Sequence, residues 1–216
     1  MKGLYPIVDV EALALSRIDP LIFADHVLVA RPPLLQLRSK SASARDTLAL
    51  LRELVPRCRR AKTLLFANDR PDLALIAGAD GVHLGQNDLP AEAARQIAPA
   101  LGLGLSTHSL DELERALAQR PTYVAFGPIF NTGSKRNPEP AVGLGALEEA
   151  ARRARAQGIP LVAIGGIDWQ SAPQVARHAD MGAVIATLCR VELDQLSARA
   201  AELNALFGAP VSSRAS

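Results

Sequence analysis

Eight short apolar runs, spaced along the chain with helical stretches between most of them, restrict the fold more than any other feature. They are GLYPIVDV at 3, LLQLRSK at 34, TLLFAND at 63, GVHLG at 81, GLGLST at 102, YVAFGPIF at 123, PLVAIGG at 160 and GAVIATL at 182. Most are continuous rather than alternating, the pattern of parallel strands covered on both faces. Between them lie amphipathic stretches such as ARDTLALLRELVPRCRRA, SLDELERALAQ and LGALEEAARRARAQG. Ser109 followed three residues later by Glu112 predicts a capping box at the start of one helix, and Gly158 then Pro160 predict the end of another.

Strand and helix alternating about eight times in 216 residues predicts an α/β fold, a single-domain (β/α)8 TIM barrel over residues 1–208, with 209–216 a disordered tail. An open doubly wound sheet would more often have fewer units and a GxGxxG turn after its first strand, and neither feature is present. From Glu11 to Pro33 the helical signal is weak, with Pro20, Pro32 and Pro33 reading as interruptions.

Charge and cysteine content exclude several classes of partner. Lys and Arg number 24 against 22 acidic residues, so nothing favours nucleic acid or an anionic membrane as a partner. Cys58 and Cys189 form no CxxC pair, which suits two reduced thiols in a cytoplasmic protein. No apolar run reaches the ~18 residues that would span a bilayer. Homo-oligomer formation is left open.

In a barrel, polar residues at the C-terminal ends of the strands converge on one mouth. Here those ends carry Gln36, Arg38 and Lys40; Asn68 and Asp69; His83, Gln86 and Asp88; Ser106 and His108; and Thr132, Ser134 and Lys135. Asp69 and Asp88 suit a hard cation such as Mg²⁺, which uses one or two carboxylates and takes its other ligands from water and phosphate. Arg38, Lys40 and Lys135 could meet phosphate oxygens left uncovered by the metal. AIGGI at 163 and GAVIATL at 182 place small residues after strands 7 and 8, where barrels often hold a phosphate on backbone N–H groups, and Gly166 there would allow close approach. A metal-diphosphate site beside a monophosphate site is equipment for joining two phosphorylated molecules.

Each residue also has a structural alternative. Asp69 could cap the helix beginning near Pro71, Asp88 could be a turn residue, and Lys40 could be a solvated charge. His83 and His108 read as hydrogen-bonded structural groups, and Trp169 as packing at a helix start.

In order, QLRSK, FANDR, GVHLGQNDLP, GLSTHS, GPIFNTGSK with AVGL, and AIGGI resemble the sequence blocks of the thiamine-phosphate synthase family, from residue 3 to about 188. The resemblance implies a barrel that joins 4-amino-2-methyl-5-hydroxymethylpyrimidine diphosphate to a thiazole phosphate, releasing diphosphate, with Mg²⁺ as cofactor. It also implies roles. Gln36, Arg38 and Lys40 would contact the pyrimidine diphosphate, Asn68 the pyrimidine, and Asp69 and Asp88 the metal. Ser106 would contact substrate, Thr132, Ser134, Gly166, Ile185 and Ala186 would lie at the thiazole phosphate, and Lys135 near the diphosphate. Arg38, Lys40 and Lys135 would carry catalysis by neutralising the leaving group.

Three departures from the family pattern are visible. Ile185-Ala186 stands where Val-Ser or Ile-Ser is usual, which removes one hydroxyl, with Thr187 next door as the candidate substitute. Ser134 stands where Thr is common, and ADMGAV lacks the usual Asp-Gly pair. Two rival functions follow from the same blocks: a thiazole tautomerase using His108, and a non-catalytic thiamine-precursor binding protein. NTGSKRNPEPAV is the candidate lid. Whether the thiazole partner is the simple or the carboxylated phosphate is not encoded in any of these motifs.

Overall fold

Why eight continuous apolar runs can all be buried is clear from the computed structural model, which describes residues 1–132 and 139–208. The strands are β1 (Gly3–Asp9), β2 (Leu34–Arg38), β3 (Leu64–Asn68), β4 (Gly81–Leu84), β5 (Gly102–Thr107), β6 (Tyr123–Phe126), β7 (Leu161–Ile164) and β8 (Met181–Val184). They pair in parallel, in chain order, and β8 returns to β1 to close the barrel. Each strand therefore has one face toward the barrel interior and one toward the helices, and both faces are apolar.

The helices are α1 (Val10–Leu15), α2 (Pro20–Leu28), α3 (Ala44–Ala61), α4 (Pro71–Ala77), α5 (Ala91–Ile97), α6 (Leu110–Ala118), α7 (Gly143–Ala156), α8 (Ala172–Ala176), α9 (Ala186–Cys189) and α10 (Leu193–Gly208). α3 shows the physical pattern. Leu51, Leu54, Val55 and Cys58 recur at one face and are buried, Ser43 caps the first turn by accepting from the Asp46 N–H at 3.1 Å, and left-handed Lys62 ends the helix. Among the described residues no helix is long and apolar enough to cross a membrane.

The weak stretch after Glu11 proves to hold two helices, α1 and α2. Pro20 does not interrupt α2 but opens it: Asp19 caps the helix, accepting from Leu21 and Ile22 N–H groups, and Pro20 takes the first helical position, where its missing N–H costs nothing. The capping box at α6 is also modified. Ser109 Oγ accepts from Glu112 N–H at 3.2 Å, but the Glu112 carboxylate takes the His108 N–H at 2.7 Å rather than that of Ser109. The runs after β6 and β8 end sooner than their apolar length suggests, at Phe126 and Val184, because the chain turns into the mouth. The expected tail, 209–216, lies outside the described residues.

Two apolar layers result. The larger lies between sheet and helices; the smaller fills the barrel with Tyr5, Ile7, Leu34, Phe66, Tyr123, Ala125, Val162, Met181 and Ala183. Met181 is wholly buried and fills the interior at its level, while Asp180 beside it accepts from Leu161 N–H at 3.0 Å at the lower rim.

Candidate active site

The C-terminal ends of the strands surround a cavity of about 790 Å³ whose walls include Gln36, Arg38, Lys40, Asn68, Asp69, Asp88, Ser106, His108, Thr132, Gly166, Ile185 and Ala186. Every described residue given a substrate or metal role from sequence thus faces one space, whereas Gln86, also expected at the mouth, does not line it. Ser134 and Lys135 lie outside the described residues, as does half of the candidate lid, residues 133–138.

Asp69 follows β3 directly, with a left-handed backbone (φ 63°) fixed by its own N–H donating to His83 O at 2.8 Å. It does not cap α4, whose N-cap is Arg70 and has no side-chain cap bond. Instead its carboxyl lies beside that of Asp88 and receives the Lys40 ammonium. Asp88 closes the loop after β4, accepting from Gly85 N–H at 2.7 Å, so its turn role and its place in the mouth coexist. Burial and the Asp88 carboxylate raise the pKa of Asp69 against the pull of Lys40. Burial acts to raise Asp88 too, but the neighbouring Asp69 carboxyl, the Gly85 N–H and the Lys40 charge outweigh this and lower it.

This donor set fits a divalent cation. Two neighbouring carboxyl groups that draw in an ammonium form a site short of positive charge, and oxygen ligands of this number leave room for water and phosphate. Lys40 pairs with Asp69 while 47% of its side chain stays exposed to solvent.

Arg38 is held by a residue the sequence reading missed. Its Nη1 donates to Asp9 Oδ2 at 2.5 Å, and Asp9, at the end of β1, is only 3% exposed. The other Asp9 oxygen accepts from Ala12 N–H at 2.9 Å and so caps α1. Glu11 reinforces the arrangement: one carboxylate oxygen accepts from Lys40 N–H, Ser41 N–H and Ser41 Oγ, each at 2.8 Å, and the other lies 3.8 Å from Arg38 Nη1. Burial acts to raise the pKa of Glu11, yet these bonds lower it below the usual carboxylate range. Arg190, at the end of α9, adds a cation to the mouth that no motif marked.

On the β7–β8 side, Gly166 is required for a reason other than ligand approach. With φ at 67°, a Cβ there would stand 2.7 Å from Asn131 O and Phe130 Cβ, so the crowding comes from the chain itself. Thr187 does not supply the donor that Ala186 lacks, because its Oγ1 donates to Ile167 O at 2.5 Å. Beneath the mouth, Gln36, His83 and Ser106 join two buried tyrosines in a hydrogen-bonded chain. Gln86 donates to Ser106 O at 2.5 Å. His108, also in the wall, has its Nδ1 3.2 Å from the Glu112 carboxylate. Trp169 packs beside α8, with the Arg199 guanidinium 5.0 Å from its ring centroid.

A family model described as thiamine monophosphate synthase matches residues 4–188. The chain belongs to that family. Among curated relatives, a thiamine-phosphate synthase of Chlorobium luteolum is 43% identical over 183 residues, covering 84% of this chain and 85% of the relative. One from Anaeromyxobacter dehalogenans is 40% identical over 212 residues, covering 97% and 89%. A solved thiamine phosphate pyrophosphorylase from Pyrococcus furiosus superposes with a TM-score of 0.82 at 30% identity, covering 99% of this chain and 97% of that one. A 3-hexulose-6-phosphate synthase, 19% identical with a TM-score of 0.61, shares the fold alone.

Proposed function

We propose that this chain is a cytoplasmic thiamine-phosphate synthase, condensing 4-amino-2-methyl-5-hydroxymethylpyrimidine diphosphate with thiazole phosphate or its carboxylated form. The observation that carries the reading is the Asp69–Asp88 carboxylate pair with Lys40 upon it and Arg38 in the same wall. That combination of paired anions and flanking cations suits a metal-bound diphosphate.

Asp69 and Asp88 would hold Mg²⁺, which when bound supplies positive charge to the diphosphate as it departs. The protein's own part is electrostatic and steric. Arg38 and Lys40 meet the diphosphate oxygens as the C–O bond to the pyrimidine methylene breaks and its electron pair leaves with diphosphate. The aminopyrimidine ring carries the resulting cation, and the thiazole nitrogen lone pair then forms the C–N bond. Because the nucleophile belongs to the substrate, no side chain is needed for covalent attack. Gln36, Asn68 and Ser106 orient the ring, and its seat in the recess at the strand ends limits capture of the cation by water. Gly166, Ile185 and Ala186 would receive the thiazole phosphate, as would Thr132 and Ser134; Lys135 would join Arg38 and Lys40 at the diphosphate.

The test is removal of one carboxylate at a time. Asp69→Asn and Asp88→Asn should each lower kcat/KM for the pyrimidine diphosphate by about 100-fold or more, the scale of losing part of a preorganised electrostatic site. Folded variants that turn over at the parent rate would refute the assignment. Tautomerase activity without metal and dependent on His108, or tight precursor binding without turnover, would favour the rival functions.

A further inference from the structure

The floor of the mouth contains a continuous line of polar side chains in an otherwise apolar interior. Gln36 Nε2 donates to Tyr5 Oη at 2.8 Å, and Tyr5 Oη lies 2.6 Å from Tyr123 Oη. Tyr123 Oη lies 2.9 Å from His83 Nδ1, and His83 Nε2 lies 2.8 Å from Ser106 Oγ. Gln36, Tyr5, Tyr123 and His83 are all less than 7% exposed, so water does not compete along the line. The barrel is built around it: a Cβ on Gly104 would come within 2.2 Å of Tyr123 Cζ.

We propose that Tyr5, Tyr123 and His83 are positioning residues that form a one-way donor chain, through which Gln36 and Ser106 meet the substrate ring as an opposite pair, one accepting and the other donating. Each hydroxyl has a single proton, so the direction set at one end runs to the other. Gln36 donates to Tyr5, and the Tyr5 proton therefore goes to Tyr123. The Tyr123 proton goes to His83 Nδ1, which leaves the imidazole proton on Nε2, pointing at Ser106 Oγ. Ser106 accepts, and its own O–H is released toward the mouth. At the far end the Gln36 amide, having turned its NH₂ inward, offers its carbonyl oxygen.

Burial raises the pKa of both tyrosines, so both remain protonated phenols able to pass the bond along. One acceptor and one donor on opposite walls match a ring that carries an exocyclic amino group and a ring nitrogen lone pair. This assignment of the ring rests on the synthase reading above; the polarity of the chain does not.

The experiment is ¹⁵N NMR of the imidazole of His83 in the ligand-free, full-length protein, with the ring neutral. The expected tautomer carries its proton on Nε2; a proton on Nδ1 would overturn the proposal. Gln36→Glu, recorded above the pH at which that carboxyl ionises, replaces the donor with an acceptor and should reverse the chain, moving the His83 proton to Nδ1. A tautomer unmoved by Gln36→Glu would refute coupling along the line. Tyr123→Phe, or Tyr5→Phe if the first does not fold, should abolish the response. In turnover, Tyr123→Phe should lower kcat/KM for the pyrimidine diphosphate about tenfold, the scale of one lost hydrogen bond, with KM for thiazole phosphate unchanged. A failed synthase reading would show as absent product with the tautomer switch intact.

Discussion

Asp9→Asn separates the two tasks of the residue that anchors Arg38. The Asn oxygen can still accept from Ala12 N–H, so the α1 cap survives, whereas the charge facing Arg38 Nη1 at 2.5 Å is lost. A hydrogen bond between charged groups is worth about 1.5–3 kcal/mol. Arg38, with 19% of its side chain exposed, can swing from Asp9 toward Glu11, now 3.8 Å away, and recover about 0.5–1 kcal/mol as a partly exposed pair. The net loss is therefore about 1–2 kcal/mol. Asp9→Ala removes the cap as well, adding about 1 kcal/mol. Urea unfolding at neutral pH should show the midpoint falling in the order parent, Asn, Ala, at constant m-value. A second signal is independent of unfolding. Burial and then the Asp9 charge push the Cys189 thiol up to about 11, so removing that charge should increase its reactivity toward a small alkylating reagent. Coincident midpoints for all three proteins would refute the claim that Asp9 is the anchor.

Other outcomes follow from the same structure. Gly104→Ala, forcing a Cβ against Tyr123, should cost about 1–3 kcal/mol of stability in the same unfolding experiment. Ala186→Ser should lower KM for thiazole phosphate about threefold to tenfold by adding the donor that Thr187 cannot offer, measured by initial rates at saturating pyrimidine diphosphate. Burial pushes Cys58 up to about 12 and Cys189 to about 11. Above about pH 9 the unfolded chain thus releases thiol protons that the folded chain keeps, and stability should fall by up to about 2.7 kcal/mol per pH unit from these groups, with no slope from them below about pH 8. Replacing both cysteines with Ala should flatten that limb of the stability curve.

The barrel was legible because strands buried on both faces must be continuously apolar, and eight such runs leave few other folds. The ring at the mouth was legible because barrel topology sends every strand end to one place. What escaped was whatever depends on register or on how a polar group is held. Tyr5 and Tyr123 stand 118 positions apart and meet only when the barrel closes. Asp9 sits at the end of an apolar run, and nothing in IVDV distinguishes a buried anchor for Arg38 from an ordinary turn residue. Pro20 read as a helix breaker because position within the helix, not residue type, decides its effect. Gly166 read as room for a ligand to approach, whereas the atoms crowding it are those of Phe130 and Asn131, which no local pattern reveals.

The central claim, that the Asp69–Asp88 mouth joins a pyrimidine diphosphate to a thiazole phosphate, is tested most directly by incubating the purified protein with both compounds, with Mg²⁺ or with excess EDTA, and quantifying thiamine phosphate and diphosphate together. The expected result is equal amounts of the two products with Mg²⁺ and neither with EDTA. No product in either condition, from folded protein and verified substrates, would contradict it.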